Sequence, residues 1–229
     1  MKHSEIKEYY ERRYSELQEE TFPADEVRYR AWFRKLSEEK NPKGKLLDIG
    51  CGVGHACSFF SNLGYAVAGV DISAEAIAFA QKREPRGTFE VAKESGELPF
   101  PNNAYNLVTC LGVLEHIPRP EMTLREMQRV CHADGVCVLV VPNIGSPYFW
   151  FDKGTGQIEE NPRTLAGWKL LLEQNGWKIE DMFRDPGPLN HPIRGIGGHL
   201  KRLALKLTNC LPFSLTYQFV IYARPIKQV

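Results

Sequence analysis
The chain has 229 residues, 43% of them hydrophobic, and its 29 Lys and Arg against 28 Asp and Glu leave a formal net charge of +1, the balance of one large domain with a well-buried core. No window approaches the roughly 18 consecutive apolar residues of a membrane span, and the opening stretch MKHSEIKEYYERRYSELQEE is charged where a signal peptide would be greasy. These features argue against a helical membrane protein and predict a cytoplasmic one.

Residues 3–20 and 25–40 read as two helices, with Tyr10, Tyr14 and Leu17, then Tyr29, Trp32, Phe33 and Leu36 at helical spacing. From Lys45 the sequence alternates: strand 45–49, helix 54–63, strand 66–70, helix 73–83, strands 87–92 and 105–111, helix 120–132 and strand 135–141. Short Val/Ile/Leu-rich strands separated by amphipathic helices predict an α/β fold, a doubly wound and mostly parallel sheet with helices on both faces. The stretch VPNIGSPYFWFDKGTGQIEENP is long for a connection and suggests a lid or binding loop. Helix 163–175 with strand 177–184, then helix 197–209 with strand 215–224, complete the chain. The expected organisation is a single domain, 1–229, comprising an N-terminal helical cap (1–42), a first half built round the glycine turn (43–142) and a second half (143–229).

Two compositional features stand out along this order. Cys51, Cys57, Cys110, Cys131, Cys137 and Cys210 form no CxxC pair, and several fall in apolar strand-like runs, so they read as reduced structural thiols. From Pro186 to Val229 there is no Asp or Glu against six Lys or Arg. Within that tail, Leu200, Leu203, Leu207 and Leu211 share one helical face, with Lys201, Arg202 and Lys206 elsewhere. Residues 197–211 therefore read as a basic amphipathic helix, compatible with peripheral contact to an anionic membrane or with packing on the sheet.

The segment LLDIGCGVG, Leu46 to Gly54, carries the strongest chemical signal: an apolar strand, an acid, then glycines at 50, 52 and 54. In open α/β sheets ligands bind beyond the carboxyl ends of the strands, and the turn after the first strand approaches them closely. The dinucleotide pattern GxGxxG fails, because His55 stands where the last glycine is required. Asp48 would repel a pyrophosphate and suits a ligand bearing an ammonium or sulfonium. Asp71 closes the second strand about 20 residues beyond the glycines, where an acid can take both ribose hydroxyls. Ser73 supplies the cap of the following helix, which leaves Asp71 for ligand. Glu94 and Ser95 follow the third strand, placed to meet an adenine.

Together LLDIGCGVG, GVDIS, ESGELPF, NLVTCLGVLEHI and LREMQRVCHADGVCVLVVPN resemble the class I S-adenosylmethionine-dependent methyltransferases, in particular the small-molecule group similar to ubiquinone and menaquinone biosynthesis methyltransferases. The resemblance covers residues 46–143 in order. It implies a Rossmann-like seven-stranded sheet with an antiparallel last strand, and S-adenosyl-L-methionine as cofactor, with S-adenosyl-L-homocysteine as product. It implies a methionine-side loop at Gly50, Cys51, Gly52 and Gly54, with Asp48 as anchor of the amino group. It further implies a ribose acid at Asp71 beside Ile72, an adenine contact at Glu94 and Ser95, and a methionine-side wall at Leu111 and Gly112. Glu94 stands where the family usually has Asp, and Asn106 where it often has Asp.

His116, past the fourth strand, is the candidate base that would take a proton from an acceptor hydroxyl, against a loop-packing role. No HxxxH pair or carboxylate cluster points to a metal. The fourth strand ends in CLGVLEH rather than Asn/Asp-Pro-Pro-Tyr/Phe, and no Pro-Cys nucleophile motif is present, so DNA is not the expected partner. The expected activity is methylation of a small-molecule acceptor, on oxygen, with a lipid-linked or glycan-type substrate compatible with the basic tail. An aminopropyltransferase of the same fold, a NAD-dependent oxidoreductase and a catalytically silent cofactor-binding module are the alternatives.

Overall fold
The computed structural model describes residues 3–16, 26–36, 44–147, 160–185 and 211–226. Helices α1 (His3–Ser15) and α2 (Glu26–Trp32) precede β1 (Lys45–Ile49), α3 (His55–Asn62), β2 (Ala66–Asp71), α4 (Ala74–Arg83) and β3 (Thr88–Val91). Then follow β4 (Tyr105–Leu111), α5 (Pro120–Val130), β5 (Cys131–Pro142), α6 (Leu165–Gln174), β6 (Trp177–Arg184) and β7 (Gln218–Pro225). The sheet order is β3-β2-β1-β4-β5-β7-β6. Strand β7 lies antiparallel between β5 and β6, and the remaining pairings are parallel. The doubly wound sheet agrees with the sequence pattern, and the seven strands with an antiparallel last one agree with what the resemblance implies.

Neighbouring residues of the central strands are buried on opposite faces, which is why the strands read as unbroken apolar runs. Leu47, Val108 and Leu139 pack with Leu124, Met127, Trp168 and Leu172 of α5 and α6. Leu46, Leu107 and Val138 pack with Phe59, Phe60, Trp32 and Phe33 of α3 and the α2 region. Helix α2 is tied down by polar contacts as well. Trp32 Nε1 donates to Asp185 at 2.7 Å, Arg28 donates to both Asp185 oxygens, and the Tyr222 hydroxyl donates to the Trp32 carbonyl at 2.7 Å.

Boundaries moved where tertiary pairing intervened. The helix expected over 120–132 ends at Val130, because Asn103 N and Ala104 N donate to the Arg129 and Val130 carbonyls and Tyr105 pairs with Cys131 across a register shift. Strand β5 thus starts four residues early. The helix expected over 25–40 closes at Trp32 into a turn, Phe33 N bonding Tyr29 O and Leu36 N bonding Phe33 O. The helix expected over 197–209 and most of the long loop after β5, with Tyr148 to Phe151, lie outside the described residues. No helix among the described residues is long and apolar enough to cross a membrane.

Candidate functional site
The chain winds from β1 to β3 in one direction along the sheet and from β4 in the other, so the crevice at the carboxyl ends of β1 and β4 is where a ligand fits. A cavity of about 620 Å³ opens there, within the size range of small-molecule sites.

Its floor is the turn after β1. Gly50 N and Cys51 N both donate to the Val70 carbonyl, at 2.7 and 3.0 Å, pulling the turn against β2. Gly50 has φ +71°, and a Cβ there would lie 2.4 Å from Val113, so only glycine lets the turns after β1 and β4 pack this closely. Of the residues singled out from sequence, Gly50, Asp71, Ile72, Glu94, Ser95, Leu111, Gly112 and His116 line the cavity.

Asp48, Cys51, Gly52 and Gly54 are not on its wall. Asp48 is 3% exposed, and its Oδ1 accepts from Thr109 Oγ1 at 2.6 Å beneath the turn. Burial lifts its carboxyl to about 7, against the pull of the Thr109 bond, with the Asp71 charge adding to the rise. Its neighbour Ile49 lines the cavity instead, as the alternation of a strand requires. Cys51 is buried, and burial raises its thiol well above the ordinary value. Gly54 caps α3 in the left-handed conformation.

Asp71 is tied down more firmly than its sequence suggests. Its Oδ2 accepts from Gly52 N at 2.8 Å and its Oδ1 from Ser73 N at 3.0 Å. Burial raises its carboxyl, while these amides and that of Ile72 work to lower it. Ser73 Oγ does cap α4, accepting from Ala76 N at 3.2 Å. The carboxylate therefore stitches the glycine turn to the start of α4, and its remaining lone pairs are those available to a ligand.

The opposite wall comes from the N-terminal helix and the segment after β4. Tyr10 and Tyr14, one helical turn apart, line the cavity, and the Tyr10 ring meets His116 edge-on at 6.5 Å between centroids. The i, i+4 spacing of the two tyrosines was the legible signal. Burial pushes both phenols above their ordinary value. Tyr29, Trp32 and Phe33 instead pack as core. His116 lies in a short 3-10 turn, Leu114–His116, and is 6% exposed. Behind it, Glu115 is buried with Oε1 4.0 Å from His116 Nε2, and its Oε2 has no hydrogen-bond partner among the described residues. Burial lifts the Glu115 carboxyl to about 8. The outer rim adds Ile117, which closes the NLVTCLGVLEHI run, and Arg119, Met122 and Thr123, which carried no motif. Among the described residues no group of three or more His, Cys, Asp or Glu is arranged to hold a metal.

The family described as "Methyltransferase domain" matches residues 19–183. A phosphatidylethanolamine N-methyltransferase of Cereibacter sphaeroides is 32% identical over 163 residues, 67% of this chain and 74% of that protein. A ubiquinone biosynthesis O-methyltransferase of Glaesserella parasuis is 25% identical over 146 residues, 54% of this chain and 62% of the relative. Among solved structures, geranyl diphosphate C-methyltransferase of Streptomyces coelicolor, in complex with S-adenosyl-L-homocysteine, superposes with a TM-score of 0.66 at 16% identity, covering 88% of this chain and 79% of that one.

Proposed function
The chain belongs to the methyltransferase-domain family and is an S-adenosylmethionine-dependent methyltransferase, and from that premise we propose that it methylates a small-molecule acceptor, on oxygen, in the cavity above β1 and β4. The observation that carries this is the division of the lining. The carboxylates of Asp71 and Glu94 lie past β2 and β3, and His116 lies past β4 against Tyr10 of α1.

The residues present fit the cofactor. A Cβ at Gly112 would meet nothing closer than Glu115 Oε1 at 3.9 Å, and one at Gly96 nothing within 4 Å, so the backbone is bare toward the cavity at both. Asp71 and Glu94 offer only acceptor atoms when ionised, which suits a ribose diol and an exocyclic amine rather than a pyrophosphate. In this reading Asp71 holds the ribose, Glu94 and Ser95 the adenine, and Gly50, Leu111 and Gly112 the methionine side. S-adenosylmethionine, when bound, supplies a methyl group on a positively charged sulfur, open to in-line displacement.

The chain's own part is orientation and proton transfer. Tyr10, Ile117 and Met122 hold the acceptor against the cofactor end, and fixing two reactants so can supply about 7–11 kcal/mol of the barrier. His116 takes the hydroxyl proton as the new bond forms, an effect of about 10² to 10⁴ in rate. A lipid-linked or glycan-type acceptor is the finer form of the proposal. It draws on the basic segment 197–211 and on the lipid named for the Cereibacter relative. Anionic membrane contact and a cytoplasmic location are part of the same reading.

The test is incubation with methyl-labelled S-adenosylmethionine and fractionated lysate, followed by identification of the labelled compound. A labelled ether or ester is the expected product, and label on nitrogen overturns the oxygen assignment. Tight binding of S-adenosylhomocysteine without any labelled product would favour a silent module.

A further inference from the structure
One carboxylate of helix α1, that of Glu11, reaches the start of α4. Glu11 accepts from Ser73 Oγ at 2.7 Å, from Ala74 N at 2.9 Å and from Glu75 N at 3.2 Å. The two amides belong to the first turn of α4, whose N–H groups have no partner within the helix, and an acid is favoured at that positive end. Burial opposes the charge, but the amide of Ala74, the Ser73 hydroxyl and the amide of Glu75 outweigh it, and the Glu11 carboxyl is held below its ordinary value. The Ser73 hydroxyl donates to Glu11 while accepting from Ala76 N, so α1 and the cap of α4 share one group.

The same short network reaches the cavity from both sides. Asp71 accepts from Ser73 N and from Gly52 N. Tyr14, on α1, stands over that glycine, its hydroxyl 2.9 Å from where a Cβ on Gly52 would be. Tyr10, adjacent to Glu11 in sequence, faces His116. Glu11 itself is not among the cavity-lining residues, so whatever it does for a ligand it does by holding α1.

We propose that Glu11 is a positioning residue, a latch that seats α1 on the start of α4 so that Tyr14 covers the glycine turn and Tyr10 completes the acceptor wall beside His116. It rests on the cavity being the cofactor site. Cofactor retention and assembly of the acceptor wall are then coupled. With the latch closed, α1 forms one side of the cavity, and with it open both tyrosines leave together. A ligand that needs α1 seated binds in proportion to the seated fraction.

The experiment compares wild type with Glu11→Ala, Glu11→Gln and Glu11→Lys by calorimetric titration of S-adenosylhomocysteine. In parallel, tryptic cleavage after Arg12 and Arg13 is followed by mass spectrometry with and without that ligand. Glu11→Ala is expected to bind about tenfold more weakly, equivalent to about 1.4 kcal/mol, and to be cut faster in α1. Glu11→Gln, which keeps one of the two acceptor oxygens, should fall between Glu11→Ala and wild type in both effects, and Glu11→Lys should be the worst of the three. Wild-type affinity in Glu11→Ala overturns the latch, and so does weakened binding with an unchanged cleavage rate, since Glu11 would then not act through α1. If the wild-type protein itself fails to bind S-adenosylhomocysteine, the cofactor reading falls. Cleavage of the ligand-free proteins then decides the latch, an equal rate in Glu11→Ala and wild type overturning it.

Discussion
Replacing Asp71 by Asn separates the carboxylate's two tasks. In the folded protein it receives Gly52 N at 2.8 Å and Ser73 N at 3.0 Å and is only 7% exposed. Asn keeps one acceptor oxygen and turns an NH₂ toward the other amide, leaving a buried donor unpaired at a cost of about 1–3 kcal/mol. Burial already raises the Asp71 carboxyl, so removing the charge also relieves some desolvation, and the loss in stability should fall in the lower half of that range. Binding loses a charge-assisted hydrogen bond to the ribose, worth about 1.5–3 kcal/mol, or about 10- to 150-fold in Kd. Calorimetric titration of S-adenosylhomocysteine, with a thermal melt of the ligand-free variant as control, measures both. A Kd within twofold of wild type, with the melt lowered as expected, would show that Asp71 serves only to join the two turns and would remove it from the ribose.

Asp48→Asn probes the acid beneath the turn. The folded state holds this proton up to about pH 7, whereas the unfolded carboxyl loses it near 3.8. Stability from this group is therefore full below about pH 4 and is lost as pH rises toward 7, by on the order of 4 kcal/mol at most. The Asn variant should flatten that part of the stability–pH curve in urea titrations and leave S-adenosylhomocysteine affinity within about threefold. A tenfold loss of affinity would return Asp48 to the amino group of the cofactor. His116→Gln should lower kcat by about 10² to 10⁴ with little change in cofactor Kd, and full turnover would dismiss the base. Asp185→Ala removes the acceptor of the Trp32 indole and the carboxylate of Arg28, which keeps its bond to Gln218 Oε1 at 2.8 Å. Breaking a buried pair costs about 3–5 kcal/mol, and with Arg28 at 17% side-chain exposure about 2–4 is expected, a fall in Tm of about 4–16 °C. A change under 2 °C would show that α2 is held by its aromatic packing alone.

The sheet and its winding were legible because burial on both faces forces continuous apolar strands, and because glycine turns and capping residues punctuate them locally. Strand 105–111 and strand 177–184 appear at the positions their composition dictates. The early start of β5 was not legible, since it depends on Tyr105 and Ala104 reaching residues 130 and 131 from a different strand.

The candidate site divides in the same way. Glycine spacing and an acid at a strand end are properties of short stretches, so Gly50 and Asp71 could be singled out from the residues themselves, Leu111 and Gly112 through the family resemblance and His116 by its place past the fourth strand, and all line the cavity. Which way a side chain points at the crevice depends on its neighbours. Ile49 rather than Asp48 faces the cavity, and Thr109 of β4 takes the carboxylate. Glu11 carries no motif at all. It meets Ser73 across 62 positions of sequence, and a hydrogen bond of that span exists only once α1 is brought over the carboxyl ends of the strands. Local chemistry determined the scaffold and the residue types of the site, and long-range packing decided which of them face a ligand and what closes over it.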